Sequence, residues 1–166
     1  MKNNKRGISA VVATVLIILI TVAAVTIIWA AIIPMISNQL ESGTICLDAV
    51  SQVQLLDFGY TCWNDTADTV SIQIKHGAKD FRLNDIQVLV SSEGITKSFS
   101  LVNDSTTITP EDMTADKLPK ANEEKVYVIN TTGMDNIDKV QIAPVVAVGN
   151  TQETCDISAT KTLTEC

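Results

Sequence analysis

The stretch ISAVVATVLIILITVAAVTIIWAAIIPMI, residues 8–36, decides how the rest of the chain is read. It carries no charged side chain, and the uncharged run extends from Gly7 to Leu40. Within residues 8–36 only Ser9, Thr14, Thr21, Thr26 and Pro34 break the apolar character. As a helix at ~1.5 Å per residue the stretch is roughly 44 Å long, against about 30 Å of bilayer hydrocarbon. Its Leu, Ile and Val residues each favour insertion by ~0.3–0.6 kcal/mol, roughly 5–10 kcal/mol together before the Ser and Thr costs. Many are β-branched, which weakens a helix in water. In lipid every backbone polar group must be bonded within the segment, so a helix is expected. Lys2, Lys5 and Arg6 precede it and hold the N-terminus on the cytoplasmic side, leaving the rest of the chain outside.

Three fates are open to the N-terminus. A secretory signal has an apolar region of about 7–15 residues, a small-residue cleavage site and then polar mature protein. This run does not stop there: a cut at Ala23, Ala24 or Ala31 leaves an apolar stub. An uncut signal anchor is the second option. The third places the cut before the apolar run, after the basic leader Met1–Gly7.

Lys5-Arg6-Gly7 followed directly by Ile8 and the apolar run resembles the class III signal of archaeal type IV pilins and archaellins. The resemblance covers residues 5–36, about a fifth of the chain. It implies that a prepilin peptidase recognises Lys5, Arg6, Gly7 and Ile8 and cuts after Gly7, that the apolar segment remains as an assembly helix, and that an assembly ATPase and a platform protein are partners. The chain departs from bacterial type IV pilins, which carry Glu at the fifth mature position where this chain has Val12. It departs from archaellins, which often carry Gly at the third, where it has Ala10. The first departure points away from a bacterial pilin, and the second favours an adhesive pilus over a motility filament. Removing Lys2, Lys5 and Arg6 changes the formal charge from -7 to -10 and takes away the cytoplasmic tether.

The helix also reads as a packing surface. Ser9 and Ala13 are four apart, as are Ala10 and Thr14, and Thr21, Ala24 and Ala31 continue roughly the same stripe. Small residues at such spacing let helix backbones approach closely where no water drives them together. Pro34 removes a donor, so a bend is expected between Ile33 and Ser37. The helix is expected to end at Ser42-Gly43, where Gly suits the left-handed cap.

Beyond this point the composition changes. Of the chain's 12 Lys and Arg, nine lie after the leader, against all 19 Asp and Glu. An acidic head without a basic cluster has no means of displacing counterions from phosphates, which excludes an ordinary nucleic-acid binder. With 166 residues in all, the head has the size of one domain, and a two-domain enzyme is excluded.

The periodicity becomes that of strands over Val50–Phe58, Val70–His76, Ile86–Val90, Thr96–Leu101, Val126–Asn130 and Val140–Val148. Turns are expected at Gly77, Ser91–Gly94, Thr132-Gly133 and Gly149-Asn150. About seven short strands suggest a small antiparallel β-sandwich, with an immunoglobulin-like outline as one form of it. Pro144 is expected to mark an edge or a bulge. Residues 106–122, with Pro110 and Pro119, form the longest polar loop. The expected organisation is a leader at 1–7, a hydrophobic assembly or transmembrane helix at 8–43 and an extracellular β-sandwich head at 44–166.

Cys46, Cys62, Cys155 and Cys166 all fall in the exterior part, and an even count there implies disulfides with three possible connectivities. A bridge closing a loop of 11 or 16 residues between sequence neighbours would add roughly 3 kcal/mol. A metal site is disfavoured by the lack of a Cys-x-x-Cys pair and by the single histidine, His76. Asn64, Asn103 and Asn130 begin N-glycosylation sequons at expected strand ends or turns.

No Gly-x-Ser-x-Gly elbow, phosphate loop or second histidine is present, so no catalytic constellation and no cofactor is expected. The acidic pairs Asp65 with Asp68, Asp135 with Asp138 and Glu111 with Asp112 do not form an EF-hand array and read as solvated turns. The expected function is a non-enzymatic structural subunit of an extracellular filament, a helical homo-oligomer held in the membrane before assembly. A membrane-anchored exterior β-domain that binds a partner, and a minor or tip pilin, are the alternatives. Mass determination of the protein from native cells is expected to find Ile8 as the first residue; intact Met1 would favour the anchor, and a cut near Ala24 would exclude both.

Overall fold

A computed structural model describes residues 10–57, 59–103, 108–110 and 117–166, with the side chains of Asn38 and of 108–110 left aside. The leader and Ile8 and Ser9 lie outside the described residues, as do Glu111 and Asp112. One long helix, α1 (Ala10–Gln52), precedes an all-antiparallel β region. The chain divides into two compact units, residues 1–40 and 41–166.

The head contains ten strands among the described residues. They are β1 (Val53–Leu55), β2 (Cys62–Asn64), β3 (Thr69–His76), β4 (Leu83–Ser92), β5 (Ile95–Ser100), β6 (Ile108–Pro110), β7 (Glu124–Asn130), β8 (Ile137–Val148), β9 (Thr151–Thr154) and β10 (Ala159–Thr162). One sheet has the order β1-β3-β7-β6 with β2 also on β3; the other has β10-β8-β4-β5 with β9 also on β8. This is a β-sandwich whose chain crosses between sheets after β3, β5 and β7.

Strict alternation builds its core. Along β3 every second residue is buried: Val70, Ile72, Ile74 and His76. Tyr127 and Ile129 of β7 and Val53 and Leu55 of β1 extend that inner face. Ile86, Val88 and Val90 of β4 and Val140 and Ile142 of β8 close over it from the other sheet. Each fully buried aliphatic side chain contributes about 1.5–3 kcal/mol. The tight turn between β4 and β5 has Glu93 at φ 47 and Gly94 at φ 86. Positive φ at both central residues matches the right-handed twist of the flanking strands.

Asp85 is a buried polar group that the chain satisfies locally. Its carboxylate accepts from Ile86 N at 2.8 Å, Gln87 Nε2 at 3.1 Å, Val102 N at 3.1 Å and Ser100 Oγ at 2.5 Å. It lies beside the register shift between Leu83 and Asp85 and closes the end of the β4–β5 hairpin.

Three expectations are corrected. α1 does not end at Ser42-Gly43 but runs through Gly43 to Gln52, which shortens the expected strand Val50–Phe58 to β1. Packing of Ile45, Cys46, Ala49 and Val50 against the head outweighs the roughly 1 kcal/mol penalty of a glycine within the helix. Pro144 lies neither on an edge strand nor at a register shift, for β8 is flanked by β4 and by β9 and β10. Its outer neighbour changes there, since β10 reaches Ile142 and β9 begins opposite Val145. Pro144 O accepts from Cys155 N at 2.9 Å, so the missing N–H falls at the junction of the two outer strands. β2, β6, β9 and β10 were not expected: each has three or four residues, too short for alternation to register.

Tyr127 is fully buried and donates its hydroxyl to Lys117 O at 2.6 Å. Burial, with a lesser contribution from the Glu123 carboxylate, pushes the phenol well above its usual 10.0. Because the folded-state value is raised, stability is fully present below about pH 10 and is lost as the pH climbs towards the raised value. The head's melting temperature is therefore expected to hold up to about pH 10 and to fall above it. Tyr127→Phe should flatten that alkaline fall while costing about 1 kcal/mol at neutral pH, the net worth of one hydrogen bond.

Candidate assembly helix and disulfide-bridged head

Residues 10–40 of α1 form a helix that is long and apolar enough to cross a membrane. Val11, Ile20, Ile27 and Trp29 are each about two-thirds exposed, and the run continues through Ile32, Ile33, Met35 and Ile36. Ala10, Thr14, Thr21, Ala24 and Ala31 are exposed and Ala13 is partly so, while Ser9 lies outside the described residues. The threonine hydroxyls are satisfied within the helix: Thr14 donates to Val11 O, Thr21 to Ile18 O and Thr26 to Ala23 O at 2.8–2.9 Å. These three hydroxyls need no water, which suits burial in lipid or against another helix.

The last turns of α1, residues 41–52, belong to the head. Ala49 is completely buried against Val146, Val148 and Cys155, with Ile45, Cys46, Val50 and Phe81 around it. β8 serves two clusters with one face: Val140 and Ile142 enter the main core, and Val146 and Val148 meet these helical turns. Cys46 is bonded to Cys155, with the Cα atoms 5.3 Å apart. Lys79 Nζ donates to Asp48 Oδ2 at 2.6 Å, and Ser42 Oγ donates to Glu153 Oε2. Gln52 ends the helix by accepting from Gly77 N at 2.8 Å through its carbonyl and from Lys79 N at 3.1 Å through its side chain. A Cβ on Gly77 would lie 2.1 Å from Gln52 Oε1, so this contact requires glycine. The spacing Ile45-Cys46…Ala49-Val50 is a helical stripe, the one sequence signal that pointed to these turns.

The second disulfide joins Cys62 of β2 to Cys166. The C-terminal residues run beside β2: Trp63 N donates to Thr164 O at 3.0 Å and Cys166 N to Trp63 O at 2.8 Å. Spacing left three connectivities open, and the fold selects the one joining residues 109 and 104 apart in sequence. Neither bridge is between sequence neighbours. A closed loop of ~100 residues removes more unfolded-state entropy than a short one, about 4.7 against 3 kcal/mol in the chain-entropy account.

Asn64, Asn103 and Asn130 are all exposed. The register places Asn64 opposite Thr69 and Thr69 opposite Asn130. Residues directly opposite share a sheet face, and Val70 points inward, so Asn64 and Asn130 stand on the outer face of one sheet, two strands or roughly 10 Å apart. Asn130 Oδ1 accepts from Thr132 N at 2.9 Å and from Thr132 Oγ1 at 2.5 Å. Asp65 and Asp68 bracket the turn between β2 and β3, where Asp68 has φ 50.

No protein-family model matches the chain, and no curated protein matches it. The helix and the head thus have to be read on their own chemistry. Two disulfides point to an oxidising compartment, and the apolar helix is compatible with a membrane.

Denatured but unreduced protein is expected to show no free thiol. Replacing Cys46 and Cys155 together by alanine should lower stability by about 2–4 kcal/mol, a fall of roughly 10 °C in a head of this size. Thermal melts of the full chain in detergent check this; an unchanged melting temperature would show that the helical turns hold without the bridge.

Proposed function

We propose that this chain is a structural subunit of an extracellular type IV-like pilus, polymerising through its N-terminal helix and presenting the β-sandwich outward, with adhesion as its role. The observation that carries the reading is the length of uncharged helix. The apolar helical run from Ala10 to Ile36, ahead of the polar Ser37, Asn38 and Gln39, is roughly 40 Å long at ~1.5 Å per residue. Fitting it within about 30 Å of hydrocarbon takes a tilt of about 42°, at the limit of the usual range of ~0–40°. A membrane anchor gains nothing from the surplus. A filament core has no fixed thickness and buries the whole run against other helices.

The lack of charge from Gly7 to Leu40 supports the same reading, because a subunit leaving the bilayer exchanges lipid for helices of similar apolarity. The peptidase, ATPase and platform partners, the leader cut at Gly7 and the glycans at Asn64, Asn103 and Asn130 belong to this proposal. The role is structural rather than catalytic.

Close approach of backbones is the main attraction between such helices, so bulk on the small-residue stripe should hold them apart. Ala10→Leu and Ala24→Phe are expected to leave membrane insertion and head protease resistance intact and to cut surface filament yield about tenfold, equivalent to ~1.4 kcal/mol. Negative-stain microscopy of native cells reads the result. Unchanged filaments would show that another face makes the contact, and no filaments even from the unaltered chain would favour an anchored β-domain.

A further inference from the structure

The order of the cysteines along the chain opposes the pairs that the fold joins. Cys46 lies 16 residues from Cys62, and Cys155 lies 11 from Cys166. The bridges instead join Cys46 to Cys155 and Cys62 to Cys166, 109 and 104 residues apart. In an unfolded chain the chance of closing a loop falls roughly as the −3/2 power of its length. Cys46 therefore meets Cys62 about 18 times as often as Cys155, and Cys166 meets Cys155 about 30 times as often as Cys62.

Folding cannot correct this preference early. β8 pairs with β4, β9 and β10 and supplies Val146 and Val148 to the seat of Ala49. Until β8 is available the second sheet is incomplete, and the turns 41–52 that carry Cys46 lack that seat. With the N-terminus held inside, Cys46 and Cys62 reach the oxidising side 93 residues or more ahead of Cys155. At a synthesis rate of about 5–20 residues per second this interval is roughly 5–20 s, long enough for a disulfide to form.

Closing both neighbour pairs leaves no thiol in the chain to begin a rearrangement. A disulfide is rearranged by thiolate attack on one of its sulfurs, so an external thiolate is then required. Burial indicates where it can act. Cys155 is 7 % exposed and packs with Ala49, Val146 and Val148, whereas Cys166 is exposed and Cys62 partly so. A mixed disulfide on Cys166 leaves the seat of the helical turns free to close, while one on Cys46 or Cys155 holds it open.

We propose that the head is a substrate of a disulfide isomerase outside the membrane, and that the isomerase enters at Cys166. Cys46–Cys62 and Cys155–Cys166 form first, each passing two electrons and two protons to the disulfide of an oxidised dithiol protein. The isomerase thiolate then attacks Cys166 Sγ, forming a mixed disulfide and releasing the Cys155 thiolate. Cys155 attacks Cys46 Sγ and displaces Cys62. Cys62 attacks Cys166 Sγ, closes the outer bridge and returns the isomerase thiolate, so the exchanges involve no net oxidation. The proposal rests on the exterior placement of the head and not on polymerisation.

The test starts from the full chain, reduced and unfolded in detergent micelles, and dilutes it out of denaturant into diamide, an oxidant that brings no thiol. Alkylation and aspartate-directed digestion then identify the bridged peptides by mass. Neighbour-paired chains are expected to outnumber natively paired ones about tenfold and to persist for hours. A catalytic amount of reduced protein disulfide isomerase should convert them to the native pairs at least tenfold faster than buffer alone. An isomerase lacking its resolving cysteine should be captured on Cys166. Cys62→Ser should form Cys46–Cys155 without the isomerase, because Cys46 then keeps a thiol with which to attack Cys155. Native pairs from the first time point, conversion no faster with the isomerase, or a Cys62→Ser chain that still depends on it would overturn the proposal. Capture on Cys46 or Cys155 would overturn the entry point. Pairing in the unaltered chain is read whether or not the variant folds, and none of these readings needs filaments, so a failure of polymerisation is not mistaken for a failure of the exchange.

Discussion

An uncharged helix of this length has to be covered by something other than water. That constraint governs the rest of the molecule. With mostly large aliphatic side chains exposed along residues 10–40, the helix can rest only in lipid or against other apolar helices. The hydroxyls of Thr14, Thr21 and Thr26 are turned back onto the helix's own carbonyls, so these three resist neither environment. Lipid and helix partners offer similar apolarity, so the balance between them is set by how closely backbones approach and not by hydrophobic transfer. A helix built in this way can pass from one environment to the other without a large energetic step.

The head faces the opposite problem. It has few aromatics to bury, and its core is almost entirely β-branched aliphatics from β3, β4, β7 and β8, with Tyr127 as the one large ring fully enclosed among the described residues. A sandwich of this kind gains from staples. Cys46–Cys155 ties the last helical turns to the segment after β9, and Cys62–Cys166 ties the C-terminal residues to β2. Both close loops of about a hundred residues, where the entropic gain is larger than between sequence neighbours. The helical turns 41–52 contribute to the head as a wedge: Ala49, too small to fill a core by itself, lets the helix backbone approach Val146 and Val148 of β8.

The residues alone determined the helix, the change from helical to strand periodicity beyond it, the two-sheet architecture and the presence of disulfides. These depend on local or compositional physics: a charge-free run leaves no alternative to a lipid-compatible helix, and alternation along strands such as Thr69–His76 leaves one face to bury. Tertiary structure decided where the helix stops, which cysteines pair and what Pro144 does. Gly43 is a plausible cap by local propensity, but packing of Ile45, Ala49 and Val50 on β8 carries the helix nine residues further, to Gln52. Pro144 is tolerated in an interior strand because β9 and β10 meet beside it, a coincidence of two short strands that no local pattern encodes. Cysteine pairing follows from which chain segments the sandwich brings within about 5 Å, and that distance is set by contacts a hundred residues apart.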